Sequence, residues 1–162
     1  MKSLPIWLWL AGVVLLDQAS KWWVRSSFFL HESRELIPGF FNLTHIVNTG
    51  AAFGLLAGEP TVVRQLFFTG VALVALVAIV FIHRQVREQH PLFAHALGLI
   101  AGGAVGNLID RVRFGGVTDF LDFYLGKYHW PAFNVADSAI TVGVVLFLLA
   151  GWWAARKEIQ GV

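Results

Sequence analysis

No cysteine occurs among the 162 residues. That excludes disulfides, thiolate zinc sites and a cysteine nucleophile, and it leaves the redox compartment open. Charge is scarce as well: 14% of residues are Asp, Glu, Lys or Arg, against roughly 25% in soluble domains. The formal net charge is only +2 and no basic stripe stands out, which speaks against a nucleic-acid partner. The signatures of several hydrolases are also missing. There is no H-E-x-x-H, no helical H-x-x-x-H among the six His, no G-x-S-x-G elbow and no phosphate-binding glycine loop. Neither a metal nor a cofactor is expected. No repeat or low-complexity stretch appears.

What is abundant is apolar. Hydrophobic residues make up 57% of the chain, with seven Trp and fourteen Phe, and the mean hydropathy is +0.67. A helix needs about 20 mostly apolar residues to cross the hydrocarbon. Four stretches come close: 4–24, 66–82, 92–109 and 138–155. The first begins after Lys2 and is apolar through Leu16, a pattern shared with secretory signal peptides. It has no clean A-x-A cleavage site, however, and Lys21-Trp22-Trp23 resembles an interfacial anchor, so an uncleaved helix is expected.

Four spans put both termini on one side of the membrane. Lys2, Arg84, Arg87, Arg156 and Lys157 would lie on that side, with Glu88 and Glu158. Seven Lys/Arg and eight acids fall on the other, several of them inside motifs. The Lys/Arg tally alone does not decide the orientation; a cytoplasmic placement of the termini is adopted. The opposite side then holds segments 26–61 and 111–137, and the whole chain, 1–162, forms one integral membrane domain. Within the first segment, Phe40 to Val47 is rich in β-branched and aromatic residues, as strands are, and Asn48-Thr49-Gly50 signals a turn. A small sheet resting on the outer surface is expected. The second has the pair Gly115-Gly116, a possible strand from Val117, and a break at Trp130-Pro131.

Several polar residues stand out against this background. Gly98, Gly102 and Gly106 recur every four residues on the third span, a spacing that permits close helix packing. Asn107 and Arg111 share one face at the end of that span. Arg111 either snorkels to the surface or binds an anionic or carbonyl group. Asp17 and Lys21, also four apart, can pair and simply hold their helix end. Asp137 lies in Asn134-Val135-Ala136-Asp137-Ser138; with Asn134 as N-cap it occupies N3, where the helix dipole favours an acid. Ser138 has no Lys or His beside it and is a helix-start residue. Asp119, if on a strand, shares a face with Val117, Leu121 and Phe123, while Asp122 points the other way as ordinary surface. Two carboxylates brought together can divide acid and base roles, one protonated and one charged, and hydrolyse a peptide without metal. The 18-residue spacing allows Asp119 and Asp137 to meet but does not require it.

Five blocks in order carry a resemblance: Leu16-Asp17-Gln18-Ala19-Ser20-Lys21, Val47-Asn48-Thr49-Gly50-Ala51-Ala52-Phe53, Gly106-Asn107-Leu108-Ile109-Asp110-Arg111, Val117-Thr118-Asp119-Phe120 and Phe133-Asn134-Val135-Ala136-Asp137-Ser138. In these the chain resembles the lipoprotein signal peptidase, or type II signal peptidase, family. The resemblance implies a membrane all-α fold with a small β element: four transmembrane helices, a periplasmic β-cradle and a short periplasmic helix in the bacterial inner membrane. It implies an aspartic endopeptidase with catalytic Asp119 and Asp137. Asn48, Gly50, Asn107, Arg111 and Asn134 would bind substrate, and Asp17 and Lys21 would support the site. The substrate would be a diacylglyceryl-modified prolipoprotein, cut just before the lipidated cysteine. Globomycin-type inhibitors and membrane lipid are the other implied partners, and nothing demands more than a monomer. The loop from Ser26 to Pro38 matches no block. Two other functions compete: a small transporter or proton-coupled channel, which would place acids in mid-span, and a non-enzymatic membrane assembly factor docking through its sheet.

Overall fold

Each apolar stretch folds as a helix that outruns it. The computed structural model describes residues 4–50, 61–86 and 88–160, with residues 4 and 157–160 by backbone alone. Its helices are α1 (Leu4–Ser27), α2 (Val62–Val86), α3 (Leu92–Phe114) and α4 (Val135–Gln160). Hydropathy falls where polar side chains begin, but backbone hydrogen bonding continues past them. On α3 it runs on through Asp110, Arg111 and Arg113 until Gly115 takes a left-handed conformation, φ +76°, and donates its N–H to the Arg111 carbonyl. Among the described residues α2, α3 and α4 are long and apolar enough to cross a membrane. α1 has the length, 24 residues, but carries Asp17, Lys21 and Arg25 in its second half.

α3 is the axis of the bundle and packs against the other three helices. Ile6, Ile79, Leu97 and Ala101 join α1, α2 and α3 in one buried cluster, and Val13, Leu99 and Ala139 join α1, α3 and α4 in another. The four-residue glycine stripe faces α1, as its spacing predicts. A Cβ on Gly98 would lie 2.8 Å from the Ile6 carbonyl, and one on Gly102 would lie 2.7 Å from Val13 Cβ. Their outer faces are apolar and uncovered: Leu8, Leu15 and Leu16 on α1, Leu66 and Val74 on α2, Val145 and Leu148 on α4. Such surface suits lipid and not water.

A four-stranded antiparallel sheet sits at one end, in the order β1 (Ser33–Ile37), β2 (Phe41–Asn48), β3 (Val117–Leu125), β4 (Tyr128–His129). β2 and β3 fall where the composition expects strands. β1, inside the unmatched loop from Ser26 to Pro38, is an exposed edge strand, too short and too polar to announce itself. Val24 of α1 and Phe28 just beyond its end pack on Phe120, Leu43 and Val135, which fastens the sheet to the helix ends. The short helix implied by the resemblance has no counterpart among the described residues, and Ala51, Ala52, Phe53 and Glu59 lie outside them.

Two expectations need correction. Asp122 is not ordinary surface: it is buried at 8% exposure, accepts a hydrogen bond from Asn42 at 2.9 Å and pairs with His129 at 2.8 Å. The opposite face of β3 is covered too, so alternation does not separate wet from dry there. Lys21 does not anchor at the interface with Trp22 and Trp23. Those rings are exposed, while Lys21 is fully buried and turned into the bundle.

Candidate active site

The start of α4 is built by reciprocal capping. The Asn134 side-chain oxygen accepts the Asp137 N–H at 2.9 Å, and the Asp137 carboxylate accepts the Asn134 N–H at 3.3 Å. This is the capping-box arrangement with Asp in the N3 place. A third free N–H of the first turn, that of Ala136, is taken by Asp17 Oδ1 at 2.9 Å, which lies on α1. Asp17 is thus a cap for another helix as well as half of an ion pair.

Asp119 reaches the same place from β3. Gly115 ends α3, and Gly116 passes so near β2 that a Cβ would lie 2.7 Å from Val47. The chain therefore enters β3 directly beneath the end of α3. The segment leading into α4 folds back on β3 through Phe133, whose carbonyl accepts the Leu121 N–H at 2.8 Å and whose N–H reaches the Leu121 carbonyl at 3.1 Å. That return closes the 18-residue gap left open by the spacing. Asn134 Nδ2 donates to Asp119 Oδ1 at 2.7 Å, and Asn48 Nδ2 donates to Asp119 Oδ2 at 3.0 Å. One asparagine side chain, Asn134, is bonded to both aspartates.

Asp119 and Asp137 line one cavity of about 600 Å³. Its lining mixes polar residues, among them Asn48, Asn107 and Arg111 with Gly50, and apolar ones, among them Trp130, Pro131, Phe133, Ile140 and Val142. Burial, and then the nearby charge of Asp137, push the Asp119 carboxyl up to about 7, against the pull of Asn48, Asn134 and Lys21. An acid with that proton affinity is shared between its two forms at neutral pH, as a general acid requires.

Behind the carboxylates lies a buried polar layer. Asn107 donates to Asp137 Oδ1 at 2.7 Å and accepts from Lys21 Nζ at 2.8 Å. Lys21 pairs with Asp17 at 2.9 Å and with Asp110 at 3.5 Å. Both members of the Asp17–Lys21 pair are fully buried, so each charge depends on the other. Arg111 lines the cavity with its guanidinium 5.6 Å from the Phe68 ring, and its carbonyl is held by Gln65 of α2 at 3.0 Å.

All nine residues singled out from the sequence thus gather at one end of the bundle. Asp119, Asp137, Asn48, Gly50, Asn107 and Arg111 line the cavity, whereas Asn134, Asp17 and Lys21 stand behind it. Missed were Gln18, Arg25, Asp110 and Thr118 of the same polar layer, and the part that residues Trp130 to Phe133 play in lining the cavity. The spacing of Arg25 four residues after Lys21, and of Asp110 three after Asn107, was the available signal.

A family model described as signal peptidase (SPase) II matches residues 9–153. A lipoprotein signal peptidase of Syntrophus aciditrophicus (strain SB) is 52% identical over 158 residues, 97% of this chain and 98% of its own. One from Yersinia pseudotuberculosis serotype O:1b is 49% identical over 154 residues, 94% of this chain and 89% of its own. A solved structure described as a bacterial membrane enzyme, determined by the in meso method at 2.3 Å, matches with a TM-score of 0.79 and 34% identity. That match covers 93% of this chain and 89% of the other.

Proposed function

The chain belongs to the signal peptidase II family of aspartic peptidases, and on that premise we propose that Asp119 and Asp137 are the dyad of a lipoprotein signal peptidase. The observation that carries the assignment is the Asn134 side chain, bonded to Asp119 and to the first turn holding Asp137, beside one cavity. Asp137 as carboxylate takes a proton from water while the water oxygen attacks the scissile carbonyl carbon. Asp119 gives its proton to the carbonyl oxygen. The tetrahedral adduct collapses as Asp137 passes its proton to the departing amine and Asp119 recovers the one it lent. Arg111, Asn107, Asn48 and Gly50 hold the peptide, whose backbone groups would otherwise be unsatisfied at membrane depth.

The substrate is a diacylglyceryl-modified prolipoprotein, cut just before the lipidated cysteine. A cavity lined by both polar and apolar residues suits a substrate that is part peptide and part lipid. α1 is the fourth span, with an apolar outer face and its charged residues turned inward. The single domain lies in the bacterial inner membrane with both termini cytoplasmic and the sheet and cavity periplasmic; it works as a monomer, and globomycin-type inhibitors occupy the dyad.

The test is cleavage of a diacylglyceryl-modified peptide by purified protein. Asp119→Asn and Asp137→Asn each lose about 10²–10⁴-fold in kcat while keeping the fold, and a chelator leaves the parent enzyme unaffected. Full activity in either variant, or loss on chelation, would sink the dyad.

A further inference from the structure

Three buried carboxylates, Asp17, Asp110 and Asp122, take no part in the steps above, and Asp110 is the one tied to the residue beside Asp119. Asp110, near the end of α3, is wholly buried. From α1 it accepts Gln18 Nε2 at 3.2 Å, Arg25 Nη1 at 3.4 Å and the Lys21 ammonium at 3.5 Å. Its Oδ2 also accepts the backbone N–H of Thr118 at 2.9 Å. Thr118 precedes Asp119 on β3, and every polar atom it has is held. Asp110 takes its N–H, Arg25 donates to its hydroxyl at 2.9 Å, and Asn134 donates to its carbonyl at 3.3 Å.

We propose that Asp110, together with Arg25, is a positioning residue for Asp119: it locks the Thr118 peptide so that the next carboxyl meets Asn134 and faces Asp137. The inference rests on the dyad assignment. It also explains why an anion stands at 110. Lys21 and Arg25 bring two buried or half-buried cations from α1; Asp17 balances one and Asp110 the other. An unbalanced buried charge is costly, and its field reaches neighbouring groups. The charged groups facing Asp110 are Lys21, Arg25 and, across Lys21 and Gln18, Asp17 from α1, with Arg111 from α3; those facing Asp119 are Lys21, Arg111 and Asp137.

Asp110→Asn keeps an oxygen for the Thr118 N–H but leaves one uncompensated positive charge behind the dyad. In the full-length enzyme, with a diacylglyceryl-modified peptide as substrate, kcat per folded molecule falls about 10²-fold, the scale of a small misplacement of a reacting group. KM holds, and the alkaline limb of the kcat profile moves to lower pH, because added positive charge favours ionised Asp119. A structural role alone would lower yield and melting temperature but leave kcat per folded molecule and the limb in place; that result overturns the proposal. If Asp110→Asn does not fold, Thr118→Val carries the test, since it removes only the acceptor for Arg25. It loses roughly three- to tenfold in kcat, the worth of one hydrogen bond, and an unchanged kcat overturns the proposal. Asp119→Asn and Asp137→Asn run beside them. Activity in either overturns the dyad and this inference together, whereas inactive dyad variants beside a fully active Asp110→Asn overturn this inference alone.

Discussion

Asp119 is nearly sealed from solvent, and burial acts against its charge more strongly than the hydrogen bonds from Asn48 and Asn134 favour it. Its carboxyl binds a proton up to about pH 7 in the folded chain, against an ordinary value of 3.8. As pH rises through the window between those values, the unfolded chain loses this proton while the folded chain keeps it. Stability therefore falls across the window and levels off above about 7. The full loss is on the order of a few kcal/mol. Asp119→Asn has no charge to bury, so its melting temperature should exceed that of the parent by more at pH 8 than at pH 5. A gap that does not change with pH would mean that burial does not set this proton affinity. On the proposed dyad the same titration removes the general acid, so cleavage by the parent should decline above about pH 7, followed as kcat/KM against pH.

At the scale of elements, the close contact of α3 with α1 places the polar layer. Gly106 belongs to the glycine stripe, yet what faces it is Asp17: a Cβ there would lie 2.5 Å from Asp17 Oδ2. Gly106→Ala should push that carboxylate off the Ala136 N–H and the Lys21 ammonium. The expected cost is about 1–3 kcal/mol in stability, with a fall in cleavage rate, both measured on the purified variant; an unchanged Tm would show that Asp17 has room to move. The stripe itself was legible from its spacing, as were the helices, β2, β3 and the Asn134–Asp137 cap, because each is a local pattern. Asp110 was not, since its meaning depends on Thr118 and on Arg25 85 residues away. Nor was the burial of Asp122, whose cover comes from Asn42 on β2 and His129 beyond the turn. That Asp119 and Asp137 line one cavity also lay beyond any periodicity, because it depends on Phe133 returning to β3.

For the molecule as a whole, the uncovered apolar faces require a solvent as apolar as themselves. Val74, midway along α2 and 70% exposed, and Val63, near its start and 78% exposed, differ in depth and not in packing. A lysine at Val74 should cost about 2.5–3.5 kcal/mol on insertion, whereas one at Val63 can turn its ammonium toward the headgroups. Membrane-fraction yield should drop for Val74→Lys and hold for Val63→Lys; equal yields would place that face of α2 away from lipid.

The position of Asn134 carries a consequence of a thermodynamic kind. Its oxygen holds the first turn of α4 and its nitrogen holds Asp119, so helix ordering and carboxyl protonation are linked functions of one side chain. Linkage is reciprocal. Ordering of the α4 start and protonation of Asp119 shift one another by one coupling free energy, so a molecule in the cavity that favours one protonation state also biases that helix start, by no more than this coupling. The enzyme's grip on its substrate is, to that extent, also a grip on its own fold.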